Sequence, residues 1–122
     1  MAPALILLAL APAPLGAQAA TTPAALRGTW AHEAAACRDP KSDGRVAIRE
    51  KGIEFFASDC ALTRVRNAGK SVWLGDFRCQ ESGQFQDVTL ELHAAAPDRL
   101  RLRVNADEPQ TLVRCAQNVP VR

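Results

Sequence analysis

The feature that most constrains this chain is strict alternation near its C-terminal end. In Arg99-Leu100-Arg101-Leu102-Arg103-Val104 the apolar residues share one face of an extended strand and the arginines share the other. Val88-Thr89-Leu90-Glu91-Leu92-His93 repeats the pattern. Successive strand side chains point to opposite faces, so a period of two marks strands with one face buried and one wetted. Turn signals separate such runs at short intervals, among them Ser42-Asp43-Gly44, Lys51-Gly52, Asn67-Ala68-Gly69, Glu81-Ser82-Gly83 and Pro97-Asp98. They delimit strands near 28–31, 45–50, 53–57, 60–66, 71–79, 84–93, 99–104 and 110–115. Parallel pairing needs crossovers of a dozen residues or more, which these connections do not supply. The expectation is an all-β, antiparallel up-and-down barrel or half-barrel of about eight strands, since closure removes exposed edges.

The alternation also predicts an inward set: Val46, Ile48, Ile53, Phe55, Leu62 or Val65, Val72, Leu74, Val88, Leu90, Leu92, Leu100, Leu102, Val104 and Leu112. Small barrels of this strand number are filled by their own side chains or hold one small ligand. Ahead of the first strand, Thr22 is placed to cap a short helical turn with Pro23 at its first position. Ala31-His32-Glu33-Ala34-Ala35-Ala36-Cys37 offers a second such turn in the longest loop.

The first 19 residues read as a secretion signal. They carry no charge, include the apolar run Leu5-Ile6-Leu7-Leu8-Ala9-Leu10, and end in Ala17-Gln18-Ala19, a small-x-small cleavage site. No Lys or Arg precedes the apolar run, which departs from the usual signal pattern. The run is too short to span about 30 Å of hydrocarbon. The expected layout is a signal peptide over 1–19 and one domain over 20–122, secreted to a bacterial periplasm or the extracellular space. Four cysteines remain: Cys37, Cys60, Cys79 and Cys115. An even count in an exported chain predicts two disulfides. Their spacing includes no Cys-x-x-Cys turn to hold a metal. No cofactor is expected. The chain has 15 basic and 13 acidic residues, a balance that does not call for nucleic acid.

A helical turn, then Gly28-x-Trp30 on the first strand, then a meander of about eight strands resembles the small secreted calycin and lipocalin barrels, including bacterial metalloprotease inhibitors. The resemblance implies that Trp30 plugs one end of the barrel with Arg114 of the last strand packed over its ring. It also implies that Gly28, Trp30 and Arg114 are structural. A hairpin turning at 67–70 brings Cys60 towards Cys79. In a closed barrel the first and last strands are neighbours, which favours Cys37 with Cys115, provided the long loop folds back.

For chemistry, His32 and His93 are lone histidines in a loop and on an outward face, and no Gly-x-Ser-x-Gly elbow occurs. The chain is therefore expected not to be an enzyme. Two outward features are candidate partner-binding surfaces. One is the row Arg99, Arg101 and Arg103, extended by Arg64, Arg66 and Arg114; its plainer explanation is cross-strand pairing, with Glu91 opposite Arg101. The other is an apolar patch of Trp73, Phe77 and Phe56, unless a bulge turns Trp73 inward. The expected function is a monomeric, non-enzymatic binding module for a protein partner. An inhibitor of an envelope or extracellular hydrolase, protease or lysozyme, is the expected type. Its contact element would be a strand-end loop or the N-terminal arm over 20–26. The alternative is a lipocalin-type carrier of a small hydrophobic ligand.

Overall fold

Eight antiparallel strands in sequence order close into a barrel in a computed structural model that describes residues 20–116. The signal segment expected over 1–19 lies outside the described residues. The strands are β1 (Gly28–Ala31), β2 (Arg45–Arg49), β3 (Gly52–Glu54), β4 (Asp59–Ala68), β5 (Val72–Glu81), β6 (Gln84–Ala96), β7 (Arg99–Val104) and β8 (Gln110–Arg114). Pairing of β8 with β1, through Trp30 opposite Arg114 and Ala31 opposite Val113, completes the ring. Both expected helical turns are short 3-10 turns, Ala24–Leu26 and Ala34–Arg38. Thr22 does not cap the first. Its hydroxyl donates to the Arg49 carbonyl, and its amide donates to Glu50, which ties the arm to the β2–β3 hairpin.

The interior is occupied by the alternating apolar rows. Ile53, Leu90, Leu92, Leu100, Leu102 and Leu112 are almost fully buried, and Val46, Ile48 and Val88 join them. The β5 row inverts the expected register. Trp73 and Phe77 are 5% and 1% exposed, whereas Val72 and Leu74 are only half-buried. The pairing of β5 with β6 is continuous from Val72–His93 to Glu81–Gln84, so no bulge turns Trp73 inward. Parity does it: Trp73, Gly75, Phe77 and Cys79 share one face, opposite Leu92, Leu90, Val88 and Gln86. Burying an indole and a phenyl removes more apolar surface from water than burying Val72 and Leu74, so the larger pair takes the interior. Gly75 makes the room. A Cβ there would lie 2.4 Å from the Trp73 ring, so only glycine leaves room for the edge of the indole. The two rings then meet edge to face, 5.9 Å apart.

The bulges fall in β4 instead, between Leu62 and Arg64 and between Val65 and Asn67. Each inserts a residue and flips the parity. Leu62 and Val65, three apart, therefore both pack on the core, where simple alternation allowed one of them.

Two disulfides staple the barrel, Cys60–Cys79 and Cys37–Cys115. Cys60 and Cys79 are directly opposed on β4 and β5 and belong to the core. Cys37–Cys115 lies outside the wall. There the long loop folds back, and Ala36 and Cys37 bury the outward face of Ala31 in a small second cluster. This bond clamps the loop across the seam between the first and last strands.

Candidate functional site

The two ends of the barrel are built differently. At one end the chain seals itself. The Trp30 indole is fully buried and donates from Nε1 to the Leu26 carbonyl at 2.9 Å. The Arg114 guanidinium stacks on the Trp30 ring at 4.2 Å. It also donates to the carbonyls of Arg27 (3.0 Å), Ala25 (2.6 Å) and Pro97 (3.2 Å). Three carbonyl acceptors and an aromatic face satisfy one cation, so its fork binds the arm, the first strand and the β6–β7 turn together. Gly28 makes this approach: its φ of +127° suits glycine, and a Cβ would stand 3.3 Å from Arg114 Nη1. Gly28, Trp30 and Arg114 thus form one plug. The arm over 20–26 is part of it, with Thr22 and Leu26 buried.

The other end carries the loop over 32–44, the β3–β4 loop, the β5–β6 hairpin and the β7–β8 loop. Two large apolar side chains stand out here, Phe56 at 63% exposure and Phe85 at 56%. The amide of Phe55 donates to the Ser58 carbonyl and closes a tight loop. Phe55 is thereby packed against the core while Phe56 is carried at the tip. Phe85 follows a two-residue hairpin whose central residues, Ser82 and Gly83, both have positive φ, 50° and 79°. That is the primed turn whose twist matches paired strands, and it sets Phe85 on the outward face at the start of β6. Arg78 lies over the Phe85 ring at 4.7 Å and pairs with Asp87 at 3.6 Å. Beside this aromatic a groove of about 370 Å³ crosses the outer wall, lined by Arg49, Lys51, Gly52, Ala61, Arg78 and Phe85 among others. A second groove, of about 210 Å³, runs between Pro40, Arg45 and Phe56.

The expected outer patch of Trp73, Phe77 and Phe56 is not formed, because Trp73 and Phe77 are interior residues. Only Phe56 remains outside, and Phe85 takes the place of the other two. Sequence reasoning missed Phe85; its position two residues past Ser82-Gly83, in phase with Asp87 and outside the Val88 row, was the available signal.

The arginines separate into two groups. Arg64 and Arg66 do not extend the β7 row: both are held by Asp76 on β5, at 3.2 and 2.8 Å. Thr89 also donates to that carboxylate at 3.0 Å. The Arg66 hydrogen bond is the main reason the Asp76 carboxyl is held below its ordinary 3.8, helped by Thr89 and the nearby positive charges against the opposing effect of burial. Arg114 is committed to the plug. On β7, Glu91 faces Arg103 at 3.8 Å and not Arg101, because a bulge at Ala94–Ala96 and a turn at 97–98 shift the hairpin register. His93 faces Arg101 across the ladder, and His32 stands exposed in the loop after β1.

Among the described residues no helix is long and apolar enough to cross a membrane. Two disulfides are compatible with a secreted or periplasmic protein. Comparisons with protein-family models, curated proteins and solved structures returned no match to this chain.

Proposed function

We propose that this chain is an exported, non-enzymatic binding module that acts on another protein through the loop end of its barrel. An extracellular or envelope hydrolase, protease or lysozyme, is the proposed target class. One observation carries the reading: the interior is filled by Trp30, Phe77 and the leucine rows, while Phe56 on the β3–β4 loop and Phe85 at the start of β6 stand exposed at one end. Aromatic side chains with two torsions give large contact area at low entropic cost, which suits them to anchor an interface. The carrier alternative requires space where those interior side chains stand. The N-terminal arm is less suited to contact a target, since Thr22 and Leu26 are spent on the plug.

Titration of the oxidised protein into a panel of secreted proteases and lysozymes tests the proposal. A one-to-one loss of activity in at least one hydrolase is expected, and Phe56→Ser with Phe85→Ser should abolish it. No inhibition anywhere in the panel, or inhibition untouched by the double variant, counts against the site. Uptake of an apolar fluorescent probe in one-to-one stoichiometry would restore the carrier.

A further inference from the structure

Five outward arginines of the wall have an acid as cross-strand partner: Arg49 with Glu54, Arg64 and Arg66 with Asp76, Arg78 with Asp87, and Arg103 with Glu91. Arg99 and Arg101 depart from this pattern. Across the ladders Arg101 faces His93 and Thr111, and Arg99 faces Ala96 and Val113. Among the described residues no ion pair engages either guanidinium, and both side chains are exposed. Unlike those five, these two charges are left available to a partner.

Their spacing is fixed by the fold. Alternate residues of a strand repeat at about 6.6–6.8 Å, and β7 is paired on both sides, so the two side chains leave the wall from backbone positions held in a straight row. An extended peptide has the same repeat. Carboxylates at alternate positions of such a peptide reach Arg99 and Arg101 together, in register, each offering two oxygens to a guanidinium fork. Short neighbours, Ala96 and Val113, keep the flanks of Arg99 low. Arg103, already held by Glu91, ends the row, and with His93, Arg101 and Pro109 it borders a groove of about 90 Å³.

We infer that the outer face of β7 docks an extended acidic segment of a protein partner, with alternate carboxylates read by Arg99 and Arg101. The inference rests on the proposed function in one respect, that the partner is a protein, and supplies a second contact nearer the plugged end.

The test uses the full oxidised chain and two fluorescein-labelled peptides of identical composition. Thr-Glu-Val-Glu-Thr alternates its acids; Thr-Val-Glu-Glu-Thr sets them side by side. Anisotropy at low salt is expected to show about threefold tighter binding of the alternating peptide, the worth of the one exposed ion pair that the side-by-side peptide forgoes, weakening as salt rises. Arg99→Ser with Arg101→Ser is expected to remove that advantage, while Lys70→Ser, at an exposed residue of the turn between β4 and β5, keeps it. Arg99→Lys with Arg101→Lys retains charge without the fork, and should keep only part of the affinity even if the serine variant folds poorly. Equal binding of the two peptides, full affinity in the lysine variant, or tighter binding of inorganic polyphosphate than of the alternating peptide overturns the inference. The hydrolase panel is read separately. Inhibition retained while both peptides bind equally removes this site alone, and peptide discrimination without any inhibition removes the hydrolase reading alone.

Discussion

The two ends of this barrel use aromatic residues in opposite ways. At the plugged end Trp30 is buried, hydrogen-bonded through its Nε1 and covered by Arg114, whose donors find three carbonyl oxygens. At the loop end Phe56 and Phe85 are exposed, and Phe85 carries a cation that is itself half-committed to an acid. The same pair, an arginine over an aromatic ring, appears in both places. With the ring buried, Arg114 half-buried over it and every guanidinium nitrogen given an acceptor, the pair acts as a closure. Exposed, with its ring accessible, it is a surface a partner can use. Desolvation of the ring makes the difference, since a cation–π contact strengthens from roughly 0.5–1 kcal/mol at an exposed site towards about 2 kcal/mol as water is excluded.

Breaking the plug should have the largest effect. Trp30→Ala is expected to lower stability by about 3–5 kcal/mol in urea or thermal unfolding, since it empties the plugged end. Gly75→Ala tests the second buried indole: its methyl collides with Trp73, and overpacking of this kind costs about 1–3 kcal/mol. Arg114→Lys keeps the charge and loses the planar fork. It should cost about 1–2 kcal/mol, measurable as a lower denaturation midpoint with an unchanged slope.

Asp76, on the wall between the ends, sharpens the comparison through pH. Its carboxyl is held below 3.8, so its contribution to stability is present above the unfolded-state value and is lost as pH falls through the folded one. Asp76→Asn should therefore be less stable than the parent above about pH 4, with the gap closing in more acidic solution. The two stability curves running parallel through that range would argue against the arrangement. The smallest effect on stability belongs to the loop end: Phe56→Ser with Phe85→Ser should stay within about 0.5 kcal/mol of the parent. A large loss of stability there would mean that the rings support the fold and do not serve a partner.

Much of the fold was legible. Period-two alternation at 88–93 and 99–104, turn residues at short intervals and four cysteines implied an antiparallel stapled barrel, and both disulfide pairings followed from strand adjacency. The plug was legible only through the resemblance carried by Gly28-x-Trp30 and Arg114, which closure of the barrel then makes neighbours. The register of β5 was not. Val72-Trp73-Leu74 is apolar on both faces, so local pattern does not choose between them. Cys79 held the answer by parity: a cysteine bridged to Cys60 in the core puts Trp73 and Phe77 on the same inward face. The β4 bulges and the hairpin shift that moved Glu91 from Arg101 to Arg103 had no local sign at all.

The sequence by itself therefore determined strand number, direction of pairing and the covalent staples, because these follow from periodicity and chain connectivity. Tertiary structure decided which face of each strand is inner where both are apolar. It also decided which charges are neutralised and which aromatics are left outside. Those outcomes depend on the competition for a finite interior volume and on register counted across bulges, and both are properties of the closed barrel as a whole.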